Sequence, residues 1–119
     1  MTTQLTERGQ DAAAPSWRTS HRAATAAMLA VSATVAAAPF CADVTATFSD
    51  PSQYRATLHY AEVASVLAIA STYDTEVLRT QPRRAPSATY TTEVILDGAQ
   101  VRAIAIVPET ADDAAQVTA

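Results

Sequence analysis

The sequence predicts a small α+β domain in which helices pack on an antiparallel sheet. Three observations support this class: two β-rich runs joined by Asp97-Gly98, a helix-start signal at Asp50-Pro51, and a charge-free Ala-rich stretch over 23–42. The predicted strands cover residues 43–48, 75–80, 88–96 and 99–107. We predict one helix over residues 51–70 on a face of the sheet, and an Ala-rich N-terminal helix over residues 20–38.

The C-terminal hairpin is the clearest of these elements. Asp-Gly between two β-rich runs is typical of a type I′ turn, which needs positive φ at both central residues. The two-residue loop sets the register, so Glu93 should face Arg102 and form a cross-strand ion pair. One face of the hairpin is mainly apolar and should meet the core. It carries Tyr90, Thr92, Val94, Leu96, Val101, Ala103, Ala105 and Val107.

The second face of the hairpin carries an apolar patch formed by Ile95, Ile104 and Ile106. A patch of this kind in water marks a surface that something covers. The cover is either the N-terminal Ala-rich helix or a second protein chain. The small Ala side chains, which allow a helix to approach a sheet closely, favour the helix.

The helix over 51–70 is predicted from its start and its apolar stripe. Asp50 is the expected N-cap, Pro51 the first helical residue, and Gln53 the partner in a capping box. On such a helix Arg55, His59 and Glu62 are neighbours and could form an acid–base cluster. No Ser, Cys or Asp is placed by the sequence to make His59 a catalytic base, so a solvated helix face is the preferred interpretation.

The Ala-rich stretch has three interpretations. Residues 23–42 carry no charge and are about long enough to span a bilayer as a helix. Arg18, His21 and Arg22 precede the stretch, as in a signal peptide. However, most of its side chains are Ala, Ser or Thr, which gives weak insertion. We prefer a helix of a cytoplasmic protein, with an export signal and a membrane anchor as alternatives.

Four segments follow from this pattern. Residues 1–16 are polar and are expected to be a disordered tail, and residues 17–42 hold the Ala-rich helix. Residues 43–108 form the α+β domain. Residues 109–119 are expected to be an acidic tail or a short helix.

Charge and composition exclude several classes of function. The net charge is −4 and the sequence has no Lys, which opposes nucleic-acid binding and binding to anionic membranes. The densest positive charge lies at Arg79, Arg83 and Arg84, around the loop 81–87, and could bind a phosphate or an acidic partner.

The residues that usually mark a metal or phosphate site are scarce. Cys41 is the only cysteine, which excludes an internal disulfide and leaves any Cys-based zinc site without a second thiolate. With only two glycines, no glycine-rich phosphate loop can form. We therefore expect no metal, no cofactor and no small-molecule ligand.

The preferred hypothesis is a small non-enzymatic interaction or regulatory module. It would act through the sheet face with Ile95, Ile104 and Ile106 or through the Arg loop, and would bind a protein partner or a second copy. One alternative is an exported or membrane-tethered protein with residues 23–42 as its targeting segment. Another is a small enzyme that uses His59.

Overall fold

The computed structural model describes residues 16–83 and 86–108, which form two helices and a five-stranded mixed sheet. The predicted α+β class and the packing of a helix on one sheet face are confirmed. The elements in chain order are α1 (Ser16–Ser32), β1 (Cys41–Ala46), β2 (Tyr54–Tyr60), α2 (Val63–Tyr73), β3 (Leu78–Thr80), β4 (Ser87–Leu96) and β5 (Ala99–Pro108). Of the predicted tails over residues 1–16 and 109–119, Ser16 is the first residue of α1, and the rest lies outside the described residues.

The strands are ordered β1-β2-β5-β4-β3 across the sheet. Neighbouring strands are antiparallel except β2 and β5, which run parallel. The expectation of a purely antiparallel sheet is therefore wrong at this one junction. Parallel strands need a long crossover, and here α2, β3 and β4 all lie between β2 and β5 in the chain.

The largest correction concerns residues 51–62, which were expected to begin a helix. In the structure the helix starts only at Val63, and residues 54–60 form β2. The reason is a period of two: Tyr54, Ala56, Leu58 and Tyr60 alternate with Arg55, Thr57 and His59. Ala56, Leu58 and Tyr60 are buried, as expected for a strand with one face in the core.

The residues around Asp50, which were expected to start a helix, form a turn. Asp50 Oδ1 accepts hydrogen bonds from the Ser52 hydroxyl at 2.7 Å and from the Ser52 amide at 3.0 Å. These bonds hold the pKa of the Asp50 carboxyl below its usual value. An N-cap and an Asx turn use the same bond from a carboxylate to a nearby amide, so the local sequence fits both.

Helix α1 ends at Ser32, six residues before the predicted end. The Ser32 hydroxyl donates to Leu29 O at 3.0 Å, and the Thr34 hydroxyl donates to Val31 O at 2.7 Å. The backbone changes to three-residue spacing at the same place, where the Thr34 amide donates to Val31 O at 3.1 Å, and the α-helix therefore ends before Pro39. Residue Ser20, at the expected helix start, lies within α1, and its Oγ accepts a hydrogen bond from the Tyr54 amide at 2.7 Å.

The remaining strands differ from prediction by smaller shifts. Strand β1 begins at Cys41, two residues earlier than expected, and β3 is reduced to Leu78–Thr80. Helix α2 extends three residues beyond the predicted end at residue 70 and ends at Tyr73, where Asp74 follows in a left-handed conformation with φ 55°.

The hairpin is confirmed in register and in turn geometry. Asp97 and Gly98 have φ of 50° and 81°, and Glu93 lies opposite Arg102. Both helices pack on the same face of the sheet, over a core rich in small residues. The buried core includes Ala27, Val31, Ala56, Leu58, Tyr60, Val66, Ile69, Val94, Ala99, Val101, Ala103 and Ala105. Because both helices lie there, neither packs on the opposite face.

Candidate functional site

The sheet face opposite the two helices is not covered by either of them, and we call it the open face. The strand registers and the alternation of burial define its members. They are Cys41, Asp43 and Thr45 of β1, Arg55, Thr57 and His59 of β2, Gln100, Arg102, Ile104 and Ile106 of β5, Thr89, Thr91, Glu93 and Ile95 of β4, and Leu78 and Thr80 of β3.

Large apolar side chains of the open face are exposed. Ile95 is 71% exposed, Leu78 is 65% exposed and Ile106 is 57% exposed, while Ile104 is half-buried. The structure thus places the three predicted isoleucines on one surface. The expectation that the N-terminal helix covers them is wrong, because α1 packs its Ala27 and Val31 into the core on the other side of the sheet.

A shallow groove of about 660 Å³ crosses the open face beside β3. Its lining combines apolar atoms with hydroxyl groups, the Glu93–Arg102 ion pair and a second acidic residue, Glu76. The lining residues are Thr75, Glu76, Leu78, Thr89, Thr91, Glu93, Arg102 and Ile104.

The polar centre of the open face is a network on Glu93. Arg102 donates to Glu93 Oε2 through Nη2 at 2.9 Å and Nε at 3.1 Å, and Gln100 Nε2 donates to the same oxygen at 2.7 Å. The predicted cross-strand ion pair is confirmed. Three donors on one carboxylate oxygen fix the positions of these side chains between the exposed isoleucines.

The Arg loop is not part of the open face. Arg79 lies across from Tyr90, on the helix side of the sheet. Its guanidinium stands 5.9 Å from the Tyr90 ring centroid and donates to Tyr90 Oη at 3.2 Å and to Gln81 Oε1 at 2.7 Å. Arg83 is exposed, and Arg84 lies outside the described residues. The two predicted interaction regions therefore do not combine into one surface through Arg79.

A second group on the open face was not foreseen from the sequence. Cys41 lies directly opposite His59 in the β1–β2 hairpin, and Asp43 follows two residues later on the same face. The Cys41 thiol, an Asp43 carboxylate oxygen and a His59 ring nitrogen all lie within 4.8 Å of one another. The alternation in residues 54–60 was the signal that could have revealed the group, since only a strand brings His59 to Cys41.

The acid–base cluster expected around His59 is not formed. Arg55 and His59 are four residues apart on a strand, which separates them by about 13 Å instead of one helical turn. Glu62 caps the start of α2 with extended backbone and makes no side-chain capping bond. The helical spacing that suggested the cluster does not exist in β2.

Comparisons with protein-family models, with curated proteins and with solved structures found no match. Among the described residues, no helix has the length and the apolar character needed to cross a membrane.

Proposed function

We propose that the chain is a small interaction module that binds a second copy of itself through the open face. One observation carries the proposal: both helices pack on one side of the sheet, while Ile95, Ile106 and Leu78 are exposed on the other. Removing such apolar surface from water is favourable and is the main driving force of protein association.

The charges of the open face favour self-association. On the strands of the open face Asp43 and Glu93 are balanced by Arg55 and Arg102, and Glu76 beside the groove adds one negative charge, whereas the whole chain has a net charge of −4. Two copies that meet through this face therefore bring together surfaces with less repulsion than the net charge of the chain would give. A twofold axis places the same patch against itself, so acidic and basic positions of one copy can meet their opposites in the other.

The size of the open face is also suitable. Five strands about 4.8 Å apart, with central strands seven to ten residues long, span about 20 by 25 Å. The projected area is about 500 Å², and side chains that stand on the sheet add to it. This approaches the roughly 800 Å² per partner that standard interfaces bury.

Light scattering on the full chain tests the proposal. We expect twice the chain mass of 12.5 kDa for the wild type. Ile95→Asp and Ile106→Asp should give monomers, because each places a charge in the proposed interface. Both side chains are exposed in the single chain, so the fold should be retained. Leu67→Asp is the matched control, since Leu67 is 50% exposed but lies on α2.

A wild type that stays monomeric at concentrations of hundreds of micromolar would overturn the proposal. A dimer that persists in both isoleucine variants would also overturn it, and loss of the dimer in Leu67→Asp alone would assign the interface to the helix side.

We also infer that residues 16–32 stay with the folded domain in a cytoplasmic protein. Ala27 and Val31 belong to the core, and Ser20 bonds the start of β2, which supports a structural role for α1. Cleavage near residues 38–42 would remove α1 from the domain, and Ala27 and Val31 from its core. The intact mass of the native product tests this inference: a full-length chain is expected, and a product shortened near residue 40 would contradict it.

A further inference from the structure

We propose that Cys41, Asp43 and His59 form a binding site for Zn²⁺ at the β1–β2 edge of the open face. The three side chains come from two adjacent strands and point to the same side of the sheet. Their potential ligand atoms already lie within 4.8 Å of one another. The site lies on the open face, but it uses none of the exposed apolar side chains that carry the proposed self-association, so it can be tested independently of a dimer.

The spacing of the three groups is close to what zinc requires. With metal–sulfur bonds of about 2.3 Å and metal–nitrogen bonds of about 2.0 Å, ligand atoms in a tetrahedral site lie about 3.5 Å apart. Cys41 and Asp43 are exposed, so rotation of their side chains can shorten the distances by about 1 Å without disturbing the core.

The chemistry of the donors selects the metal. Mg²⁺ and Ca²⁺ prefer oxygen ligands throughout, whereas a thiolate, an imidazole and a carboxylate are the three protein groups that bind Zn²⁺. Thiolate and imidazole together favour a borderline cation such as zinc over a hard one. Three protein ligands leave the fourth position for water or for a group of another molecule.

The three side chains have no competing partners in the part of the chain that the structure describes. None of them makes a side-chain hydrogen bond or an ion pair there. The His59 ring lies 6.0 Å from the Phe40 ring, and the Phe40 amide donates to the His59 carbonyl at 2.9 Å. These contacts hold the His59 backbone and one side of its ring, while the ligand atoms stay available to a metal.

Titration of the reduced full chain with ZnCl₂, followed by calorimetry, tests the site. We expect one zinc ion per chain. Cys41→Ser, Asp43→Asn and His59→Gln should each weaken binding by at least about tenfold, the loss seen in zinc sites even when only a hydrogen-bond partner of a ligand is removed. The matched control is His21→Gln, which removes the other histidine of the chain and should leave the affinity unchanged.

Cobalt provides a second readout. Co²⁺ bound at the site should show a thiolate-to-metal charge-transfer band in the near ultraviolet, and the band should vanish in Cys41→Ser. Circular dichroism should show that this variant remains folded, since Cys41 is exposed.

Three outcomes would overturn the site: no zinc binding by the wild type at micromolar concentrations, unchanged affinity in Cys41→Ser and His59→Gln, or an equal loss in His21→Gln. Ile95→Asp separates this test from the proposed dimer. Ile95 lies on β4, two strands away from His59, so a monomeric Ile95→Asp chain should still bind zinc.

Discussion

The amide of Tyr54 donates a hydrogen bond to the hydroxyl of Ser20 at 2.7 Å, which joins α1 directly to the start of β2. The two residues are 34 positions apart in the chain, so this bond is part of the tertiary structure. The His21 ring packs edge-on against the Tyr54 ring at 5.1 Å beside it. Helix α1 is thus positioned on the sheet by a polar contact as well as by Ala27 and Val31.

Ser20→Ala should lower the free energy of unfolding by about 1 kcal/mol. The part-buried Tyr54 amide loses its acceptor, and the better helix propensity of Ala offsets only a part of this loss. Urea denaturation measures the change. Thr25→Ala is the control, because the Thr25 hydroxyl bonds only the His21 carbonyl on the exposed side of α1. An equal effect of the two substitutions would show that the Ser20–Tyr54 bond adds nothing.

Thr92→Val should destabilise the domain by about 1–3 kcal/mol, although the two side chains have the same shape. The buried Thr92 hydroxyl donates to Glu76 O at 2.7 Å, so it must accept the hydrogen bond that it shares with the Thr75 hydroxyl. Valine leaves both partners unpaired. Thr91→Val, at the neighbouring position on the open face, should change stability by less than about 0.5 kcal/mol. Thermal unfolding of the two variants makes the comparison.

Tyr60→Phe should leave stability unchanged or raise it by up to about 1 kcal/mol at neutral pH. The Tyr60 side chain is buried, and its hydroxyl has no hydrogen-bond partner among the described residues. Phenylalanine removes that polar atom and keeps the ring. A clear loss of stability would mean that the hydroxyl has a partner outside the described residues.

Tyr60 should also make the free energy of unfolding depend on pH in the alkaline range. Burial raises the pKa of Tyr60 above its ordinary value of 10.0. Above pH 10 the unfolded chain therefore releases this proton more readily than the folded one, and the free energy of unfolding falls as the pH rises. Tyr60→Phe lacks this contribution. The difference in stability between the variant and the wild type should therefore grow from pH 9 to pH 11, as urea denaturation can measure.

Gly98→Ala should cost about 1–2 kcal/mol, the penalty for a left-handed residue with a Cβ. Gly98 has φ 81°, and an added Cβ would meet no atom within 4 Å, so the cost comes from the backbone alone. Asp97→Asn is the control, because Asn tolerates the left-handed conformation that Asp97 adopts at φ 50°. If Gly98→Ala were neutral, the turn would have to change type, which hydrogen exchange of the hairpin amides would detect.

The parts of the fold that follow local rules could be predicted from the sequence. The turn at Asp97-Gly98 alone sets the register of β4 with β5. The pairing of Glu93 with Arg102, and the face of the sheet on which Ile95 lies, follow from that register. Residues 54–60 are different. The alternation there competed with a valid helix-start signal at Asp50, and only the pairing of β2 with both β1 and β5 decides between the two.

The candidate sites were predictable to different extents for the same reason. The isoleucine patch was predictable because it depends on the hairpin alone. Whether α1 covers the patch depends on packing between elements far apart in the chain, which no local pattern reports. The group of Cys41, Asp43 and His59 forms only if β1 and β2 are paired strands. Because a helix was predicted over residues 51–62, the sequence did not indicate this group.

The parallel junction between β2 and β5 has a consequence for how the molecule forms during synthesis. Arg55 pairs with Gln100, 45 positions later, whereas the β1–β2 and β4–β5 hairpins close over short loops. Non-local pairings form slowly, because the loop between them must first be closed at a cost in entropy. The β2–β5 pairing therefore cannot form until β5 has been synthesised and has left the ribosome. A nascent chain that stops before residue 99 leaves the backbone amides and carbonyls on that edge of β2 without strand partners.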